Sequence, residues 1–185
     1  MKSIAFAASL IILAPLGASA QTTDQLVKGA TDTTSVLNYG MGYNLQRFSS
    51  LKQINKDNVK NLVPVWNYSF ADDRSAQSQP IVYQGVIYIT NHNATMAVDA
   101  KTGKQIWKTK VEYPAETPRI TCCGIINRGA ALFDGKLFRT TLDAHVIALD
   151  AKTGKELWRQ QAADIKDGYS MTVAPLVADG VVITG

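Results

Sequence analysis

The feature that most constrains the fold is an internal repeat. Residues 97–107 read AVDAKTGKQIW, and residues 148–158 read ALDAKTGKELW, an offset of 51 residues. Each copy combines an apolar segment typical of a β-strand, a tight turn with Gly where a positive φ costs least, and a second strand that bears Trp. Each copy is therefore predicted to be a β-hairpin. The turn lacks the Gly spacing of a phosphate-binding loop and joins two strands, so we do not expect it to bind a nucleotide.

A further strand precedes each hairpin and begins at a turn residue followed by Gly. These starts are Gln84-Gly85, Asp134-Gly135 and, for a third unit, Asp179-Gly180. A period of about 50 residues with about four short strands per unit is typical of β-propeller blades, which bury their apolar faces by packing against one another. Two complete units cannot close a ring, so we expect residues 63–185 to be a partial set of blades from a longer protein.

The chain before the repeats is predicted to form a separate N-terminal segment, residues 21–62. Only its last part has helical character, and Asn55 is expected to cap a short helix over residues 56–62. Trp66 follows in what resembles a third Trp-bearing strand without a hairpin partner, as expected where a propeller joins its chain ends. The predicted fold class is all-β.

The first 20 residues have the pattern of a secretory signal peptide. One Lys near the start precedes an apolar run, which ends in the small residues Ala18-Ser19-Ala20. The run is too short to favour a permanent membrane anchor, because a spanning helix needs about 20 apolar residues. We expect cleavage after Ala20 to leave a mature chain that begins at Gln21, has no membrane span and resides in the periplasm, where disulfides can form.

Composition excludes several classes of protein. The chain is 46% hydrophobic and 18% charged, as in globular proteins. Its net charge of +4 comes from 19 basic and 15 acidic residues that are spread singly along the chain, so nucleic-acid binding is not expected. Two cysteines are too few for a disulfide-rich scaffold or an all-cysteine metal site.

The two cysteines, Cys122 and Cys123, are adjacent. Adjacent cysteines can bridge only through a strained eight-membered ring, which is seldom found without a purpose. A vicinal disulfide would offer a flat, rigid and polarizable surface that suits stacking against a planar ligand. Two free buried thiols or bonds to other chains are the alternatives.

Arg128 follows the cysteine pair by five residues. A guanidinium presents a planar set of donors that fits carboxylates and quinone oxygens, so Arg128 beside a stacking surface suggests a planar, anionic ligand. A salt bridge on the surface or the propeller rim is the alternative for this residue. His92 and His145 have no carboxylate at a metal-ligand spacing, and we assign neither a metal site.

Together these residues resemble the pyrroloquinoline quinone (PQQ)-dependent alcohol dehydrogenases of the methanol and ethanol dehydrogenase type. The resemblance covers nearly the whole chain after residue 20 and includes residues 43–55, the Trp-bearing turns, Cys122-Cys123 and Asn127-Arg128-Gly129. It implies an eight-bladed propeller that holds the quinone in a central funnel, between a vicinal disulfide and a Trp.

The resemblance also implies cofactor-binding roles for five residues. Cys122 and Cys123 would form one stacking face, Arg128 would hydrogen-bond the quinone, and Thr172 matches a Thr that contacts the cofactor. One position departs from the family, because Gln77 stands where a cofactor-contacting Glu is common. An amide keeps the hydrogen bonding but lacks the negative charge, so cofactor affinity or electronics are expected to differ.

The implied reaction is the oxidation of a small primary alcohol to an aldehyde, with electrons passed to cytochrome c. Calcium or a lanthanide would polarise the quinone, and an Asp would take the alcohol proton. The metal ligands and this Asp are expected after Gly185, so we assign no catalytic residue or metal ligand and expect this chain alone to be inactive. The oligomeric state is left open, with a homodimer among the alternatives.

A non-enzymatic propeller of the same repeat type, acting as a scaffold in outer-membrane assembly, is the alternative function. Fold alone does not separate the two functions, because propellers serve both. Cys122-Cys123 together with Arg128 favours the enzyme, since a scaffold has no need of a strained disulfide beside a guanidinium. Gln77 is the one observation that favours the scaffold.

Overall fold

The computed structural model describes residues 21–72, 74, 76–121 and 124–185. The predicted signal peptide over residues 1–20 and the cysteine pair, Cys122 and Cys123, lie outside the described residues. The strands form antiparallel sheets, and each strand pairs with its neighbour in sequence. This arrangement confirms the all-β prediction.

Two sheets have four strands each and correspond to the two complete repeats. The first blade contains β1 (Ile81–Tyr83), β2 (Val86–Thr90), β3 (Ala94–Asp99) and β4 (Gln105–Lys110). The second blade contains β5 (Ala131–Phe133), β6 (Lys136–Thr140), β7 (His145–Asp150) and β8 (Glu156–Gln161). A partial third blade contains β9 (Leu176–Ala178) and β10 (Val181–Ile183). The core lies between the blades and is centred on fully buried side chains such as Ile81, Leu132, Leu137, Ile147 and Leu149.

The first two strands of each blade are joined by a two-residue turn. Both turn residues have positive φ in each blade: 48° and 76° at Gln84-Gly85, 49° and 68° at Asp134-Gly135, and 48° and 76° at Asp179-Gly180. Turns with two positive φ angles match the right-handed twist of a hairpin. Each of these dipeptides therefore starts the second strand of a blade, as the sequence predicts.

The repeated Asp-Ala-Lys-Thr-Gly segment joins the last two strands of each complete blade. In the first blade, Oδ1 of Asp99 accepts hydrogen bonds from the backbone N–H of Lys101 and Thr102 (3.1 and 2.7 Å) and from the Thr102 hydroxyl (2.7 Å). The same three bonds recur at Asp150 in the second blade. The bonds from Thr102 lower the pKa of the Asp99 carboxyl below its usual value. The turn is thus stabilised by its own side chains and is a hairpin turn, as predicted.

Neighbouring elements pack through Trp side chains. The indole nitrogen of Trp66 donates to the carbonyl oxygen of Ala100 (3.2 Å), and a Cβ added to Gly103 would lie 2.6 Å from the Trp66 ring. Trp107 is only 8% exposed, whereas Trp158 is 41% exposed. Trp66 packs on the first blade from outside it, but the predicted Trp-bearing strand is absent, because residues 62–70 have no strand partner among the described residues.

The N-terminal segment differs in detail from the sequence prediction. It begins with an unpredicted helix, α1 (Thr23–Val27), and a 3₁₀ helix over Lys28–Ala30. In place of the expected helix over residues 56–62 there is a 3₁₀ helix over Val59–Asn61 with no buried residue. A short helix without packing contacts gains too little to extend further, because helix nucleation is costly. Oδ1 of Asn55 does accept the backbone N–H of Asp57 (2.9 Å), so this side chain caps the turn.

The same N-terminal segment contacts all three blades. Val36 exchanges two backbone hydrogen bonds of 2.8 Å with Val82 on the free edge of β1. The Gln21 side chain accepts the N–H of Gly135 (2.9 Å), and the Tyr43 hydroxyl donates to the carbonyl oxygen of Val177 (2.6 Å). Within the described residues, no helix is long and apolar enough to cross a bilayer.

Candidate functional site

Arg128 and Thr172 come together just before β5 and β9. The first strand of each blade (β1, β5 and β9) is called its inner strand, and β5 and β9 contact each other. Arg128 precedes β5 and Thr172 precedes β9, and the backbone N–H of Arg128 donates to the carbonyl oxygen of Thr172 (2.9 Å). Nη1 of Arg128 also donates to Oγ1 of Thr172. Both residues are half-buried. The structure thus joins two predicted cofactor residues that are 44 positions apart.

The segment that leads into β1 also bonds to Arg128, so that Arg128 has a backbone partner on each side. The backbone N–H of Gln79 donates to the carbonyl oxygen of Arg128 (3.1 Å), and Gln79 pairs with Gly129 in a short parallel bridge. A Cβ on Gly129 would lie 3.3 Å from the Gln79 carbonyl oxygen, so Gly permits this close approach. The inner strands of three blades therefore converge around Arg128.

Gln77 lies two residues before Gln79, near the start of the same inner strand. Its side chain is exposed and makes no hydrogen bond to the other described residues. The structure therefore places Gln77 in the segment before β1, two residues from the Gln79 that bonds Arg128, without joining the Gln77 and Arg128 side chains. Its contact with a cofactor stays a prediction.

The residues that flank Cys122-Cys123 are described. Thr121 is buried and follows the short helix α2 (Thr117–Ile120), and both its N–H and its hydroxyl donate to the carbonyl oxygen of Thr117 (3.0 and 3.1 Å). Gly124 follows the pair with a φ of 102°. The chain then leads through Ile125 and Ile126 to Asn127. The disulfide and its stacking role stay predictions.

The donors at this convergence fit a planar, anionic ligand. Within the described part of the chain, Arg128 takes part in no ion pair, and only its Nη1 is engaged, by Thr172. The hydroxyl of Ser170, two residues before Thr172, is buried and has no hydrogen-bond partner there. A guanidinium with unused N–H groups and an unpaired hydroxyl can bind carboxylate or quinone oxygens. The residues present therefore fit PQQ, a flat quinone that carries carboxylates.

A chain of buried polar groups that the sequence analysis missed lies next to Arg128 and Thr172. Asn127 is only 2% exposed, and its amide nitrogen donates to the carbonyl oxygen of Thr140 (3.1 Å). Its Oδ1 accepts the Thr90 hydroxyl (2.5 Å) and the N–H of Gly129 (3.0 Å). The repeat carries a signal for the two threonines, since they lie 50 residues apart at the ends of β2 and β6.

A second cluster surrounds His92 in the turn between β2 and β3. The ring is 5% exposed, with Nδ1 2.9 Å from Oδ2 of Asp72 and Nε2 2.9 Å from Nη1 of Arg74. A neutral ring that donates from Nδ1 to Asp72 and accepts at Nε2 from Arg74 satisfies both contacts. Burial lowers the pKa of His92, while Asp72 acts in the opposite direction and Arg74 and Arg139 add to the lowering. His92 is therefore a buried residue whose lowered pKa favours the neutral ring.

A pocket of about 220 Å³ borders this cluster and is lined by Arg74, His92, Tyr113 and residues in and around α2. The Tyr113 hydroxyl donates to the carbonyl oxygen of His92 (2.8 Å). Across the part of the chain that the structure describes, no group of three or more His, Cys, Asp or Glu side chains could hold a metal ion.

Comparison with known families and proteins gives one clear result. The family described as "Glucose/ethanol/alcohol dehydrogenase, beta-propeller domain" and abbreviated PQQ matches residues 37–185. Quinoprotein ethanol dehydrogenase of Pseudomonas aeruginosa is 44% identical over 184 residues, which are 97% of this chain and 29% of that protein. Methanol dehydrogenase [cytochrome c] subunit 1 of Paracoccus denitrificans is 34% identical over 193 residues, which are 100% of this chain and 31% of that protein.

Solved structures show the same similarity. A europium-containing methanol dehydrogenase superposes with a TM-score of 0.82 and 34% identity, over 88% of this chain and 29% of that one. The quinohemoprotein alcohol dehydrogenase from Comamonas testosteroni gives a TM-score of 0.83 and 34% identity, over 89% and 25%. These matches confirm the propeller prediction. The chain spans about 30% of the length of these two curated relatives.

Proposed function

The chain belongs to the glucose/ethanol/alcohol dehydrogenase β-propeller family, and on that premise we propose that it forms part of a PQQ-dependent dehydrogenase that oxidises small primary alcohols to aldehydes. The observation that carries the proposal is the contact between Arg128 and Thr172. It brings a guanidinium with unused donors to the place where three inner strands converge.

The residues of this chain would bind and orient the cofactor. Arg128 would donate to carboxylate or quinone oxygens, Thr172 would hold the guanidinium in place, and Ser170 offers a further hydroxyl. A disulfide between Cys122 and Cys123 would cover one face of the ring. PQQ supplies a quinone that can accept the two electrons removed from the alcohol.

Gln77 would occupy the position of the common family Glu at the edge of this site. Its amide can hydrogen-bond the cofactor but adds no negative charge. We expect PQQ bound here to differ in electronic properties from PQQ bound next to a Glu.

Several parts of the reaction would require residues other than those of this chain. Calcium or a lanthanide would polarise the quinone, and a base would take the alcohol proton, with the metal ligands and the base supplied from outside residues 1–185. One related structure is that of a europium-containing methanol dehydrogenase, which makes a lanthanide as reasonable as calcium.

The proposed electron acceptor is a cytochrome c in the periplasm. The relative from Paracoccus denitrificans and a 1-butanol dehydrogenase of Thauera butanivorans are both named for cytochrome c. The signal pattern of residues 1–20 supports export, where such an acceptor would be found. A homodimer stays part of the proposal to be tested by measuring the molar mass in solution.

The test is dye-linked oxidation of a short primary alcohol by the full-length polypeptide that carries this sequence, made in a periplasm. Runs with and without PQQ, and with calcium or a lanthanide, should show activity only when the quinone is present. The 185-residue chain alone should show none under the same conditions. Absence of activity in every run, together with no quinone absorbance in the purified protein, would contradict the proposal and favour the scaffold function.

A further inference from the structure

The ends of two equivalent strands are linked to the residues beside Arg128 and Thr172. Thr90 is the last residue of β2 and Thr140 the last residue of β6. The hydroxyl of Thr90 donates to Oδ1 of Asn127 (2.5 Å), and the hydroxyl of Thr140 donates to the carbonyl oxygen of Val173 (2.5 Å). Each threonine thus crosses from one blade to the start of the next inner strand.

The two acceptors are next to the two predicted cofactor residues. Asn127 directly precedes Arg128, and Val173 directly follows Thr172. The same hydrogen bond between blades therefore occurs twice, once at each blade boundary, and the two threonines are 50 residues apart. A repeated contact that ends beside a site residue both times suggests a role in that site.

The contacts form one continuous hydrogen-bonded chain. The hydroxyl of Ser78 lies 3.0 Å from the hydroxyl of Thr90 and accepts the N–H of Thr90 (3.2 Å). The chain continues through Asn127 to the carbonyl oxygen of Thr140 and through the Thr140 hydroxyl to Val173. Thr90, Asn127 and Thr140 are 1%, 2% and 0% exposed, so solvent cannot replace a lost partner.

We infer that Thr90, Asn127 and Thr140 are positioning residues that hold Arg128 and Thr172 in the arrangement that binds the anionic quinone. The inference rests on the proposed function. The backbone of Arg128 is bonded on both sides, to Gln79 and Thr172, while Asn127 bonds the N–H of Gly129 that follows. With its backbone held in this way, the guanidinium loses less freedom when a ligand binds, which raises affinity.

Isosteric Thr→Val substitutions in the full-length polypeptide test the inference, because they remove the hydroxyl and keep the shape. Thr109 provides a control, since its hydroxyl donates to the carbonyl oxygen of Gly154 (2.6 Å) and crosses the same blade boundary from β4, the last strand of the first blade. The variants are Thr90→Val, Thr140→Val, Thr109→Val and Thr90→Ser, which retains a hydroxyl. The two measurements are the dissociation constant for PQQ, by titration of the cofactor-free protein, and the melting temperature without PQQ.

We expect Thr90→Val and Thr140→Val to raise the PQQ dissociation constant about tenfold, which corresponds to the loss of about one oriented contact. Thr109→Val should lower the melting temperature, though less because Thr109 is only half-buried, and should leave the dissociation constant within about twofold. Thr90→Ser should retain most of the affinity. An equal change in affinity for Thr109→Val, or unchanged affinity in both other Val variants, would overturn the inference. Failure of Thr90→Val and Thr140→Val to fold would also overturn the inference, because it would show that these hydrogen bonds serve stability alone.

The wild-type titration separates this inference from the proposed function. If the wild-type polypeptide does not bind PQQ, the proposed function fails and the inference fails with it. If it binds PQQ and the Val variants bind equally well, only the inference fails.

Discussion

The indole nitrogen of Trp107 donates a hydrogen bond to the carbonyl oxygen of Ala151 in the next blade, 3.1 Å away. The ring also covers Gly154, where an added Cβ would lie 2.5 Å from the Trp107 ring. The repeated turn therefore serves two purposes, because its Gly both permits a positive φ and leaves room for the Trp of the preceding blade.

Gly154→Ala should destabilise the protein much more than Gly135→Ala. Both glycines have a positive φ, 72° and 68°, but only at Gly154 would a Cβ meet other atoms. We expect a loss of about 1 kcal/mol in the free energy of unfolding for Gly135→Ala, and about 3 kcal/mol or more for Gly154→Ala. Urea unfolding of both variants in the full-length polypeptide measures the difference, and equal losses would contradict the packing role of Gly154.

Arg128→Ala should weaken PQQ binding by about 10- to 100-fold, because hydrogen bonds from a charged group to an anion are among the stronger ones. Arg159→Ala is the control, since that guanidinium pairs with Glu156 (3.0 and 2.8 Å) on an outer strand. Titration of the cofactor-free protein with PQQ gives both dissociation constants. Similar affinity in the two variants would remove Arg128 from the cofactor site.

Gln77→Glu should change the absorbance spectrum of bound PQQ. The substitution adds a negative charge at the position where the family commonly has Glu, while the exposed side chain makes no hydrogen bond to other described residues. We therefore expect the free energy of unfolding to change by less than about 0.5 kcal/mol. A spectrum identical to that of the wild type would show that Gln77 does not contact the quinone.

The cysteine pair should contain no free thiol in the protein purified from a periplasm. Alkylation of the unfolded protein should modify neither Cys122 nor Cys123 before reduction and both afterwards, with a monomeric mass throughout. Two alkylated thiols before reduction would indicate free cysteines, and a dimer that reduction dissociates would indicate bonds between chains. The vicinal disulfide predicts neither result.

The free energy of unfolding should fall as the pH drops below about 6.5 because of His92. Burial lowers the pKa of His92 below its ordinary value of 6.5, so the unfolded chain binds more protons at this residue between the two pKa values. The contribution of His92 to the free energy of unfolding is therefore complete above the unfolded pKa of about 6.5 and is lost as the pH falls through the lower pKa of the folded state. Urea unfolding from about pH 5 to 8 should show a flatter profile for His92→Gln. An unchanged slope in His92→Gln would contradict the assignment of this pH dependence to His92.

Much of the fold could be predicted because its signals are local. The Asp-Gly and Gln-Gly turns and the Asp-Ala-Lys-Thr-Gly turns are formed by residues within a few positions of each other, so the blades follow from the repeat. The short helices could not be predicted as well. The expected helix over residues 56–62 is only a 3₁₀ helix over Val59–Asn61, and α1 has too few apolar positions to show a helical period.

The sequence by itself determined the repeat unit, its turns and the residue types available for binding a quinone. Only the tertiary structure decided that Arg128 contacts Thr172 and that Asn127 receives the hydroxyl of Thr90. These partners are 44 and 37 residues apart, so no local pattern specifies their contact. Thr90 and Asn127 meet because the first two blades pack side by side through Trp107, and the packing of β5 against β9 brings Arg128 to Thr172.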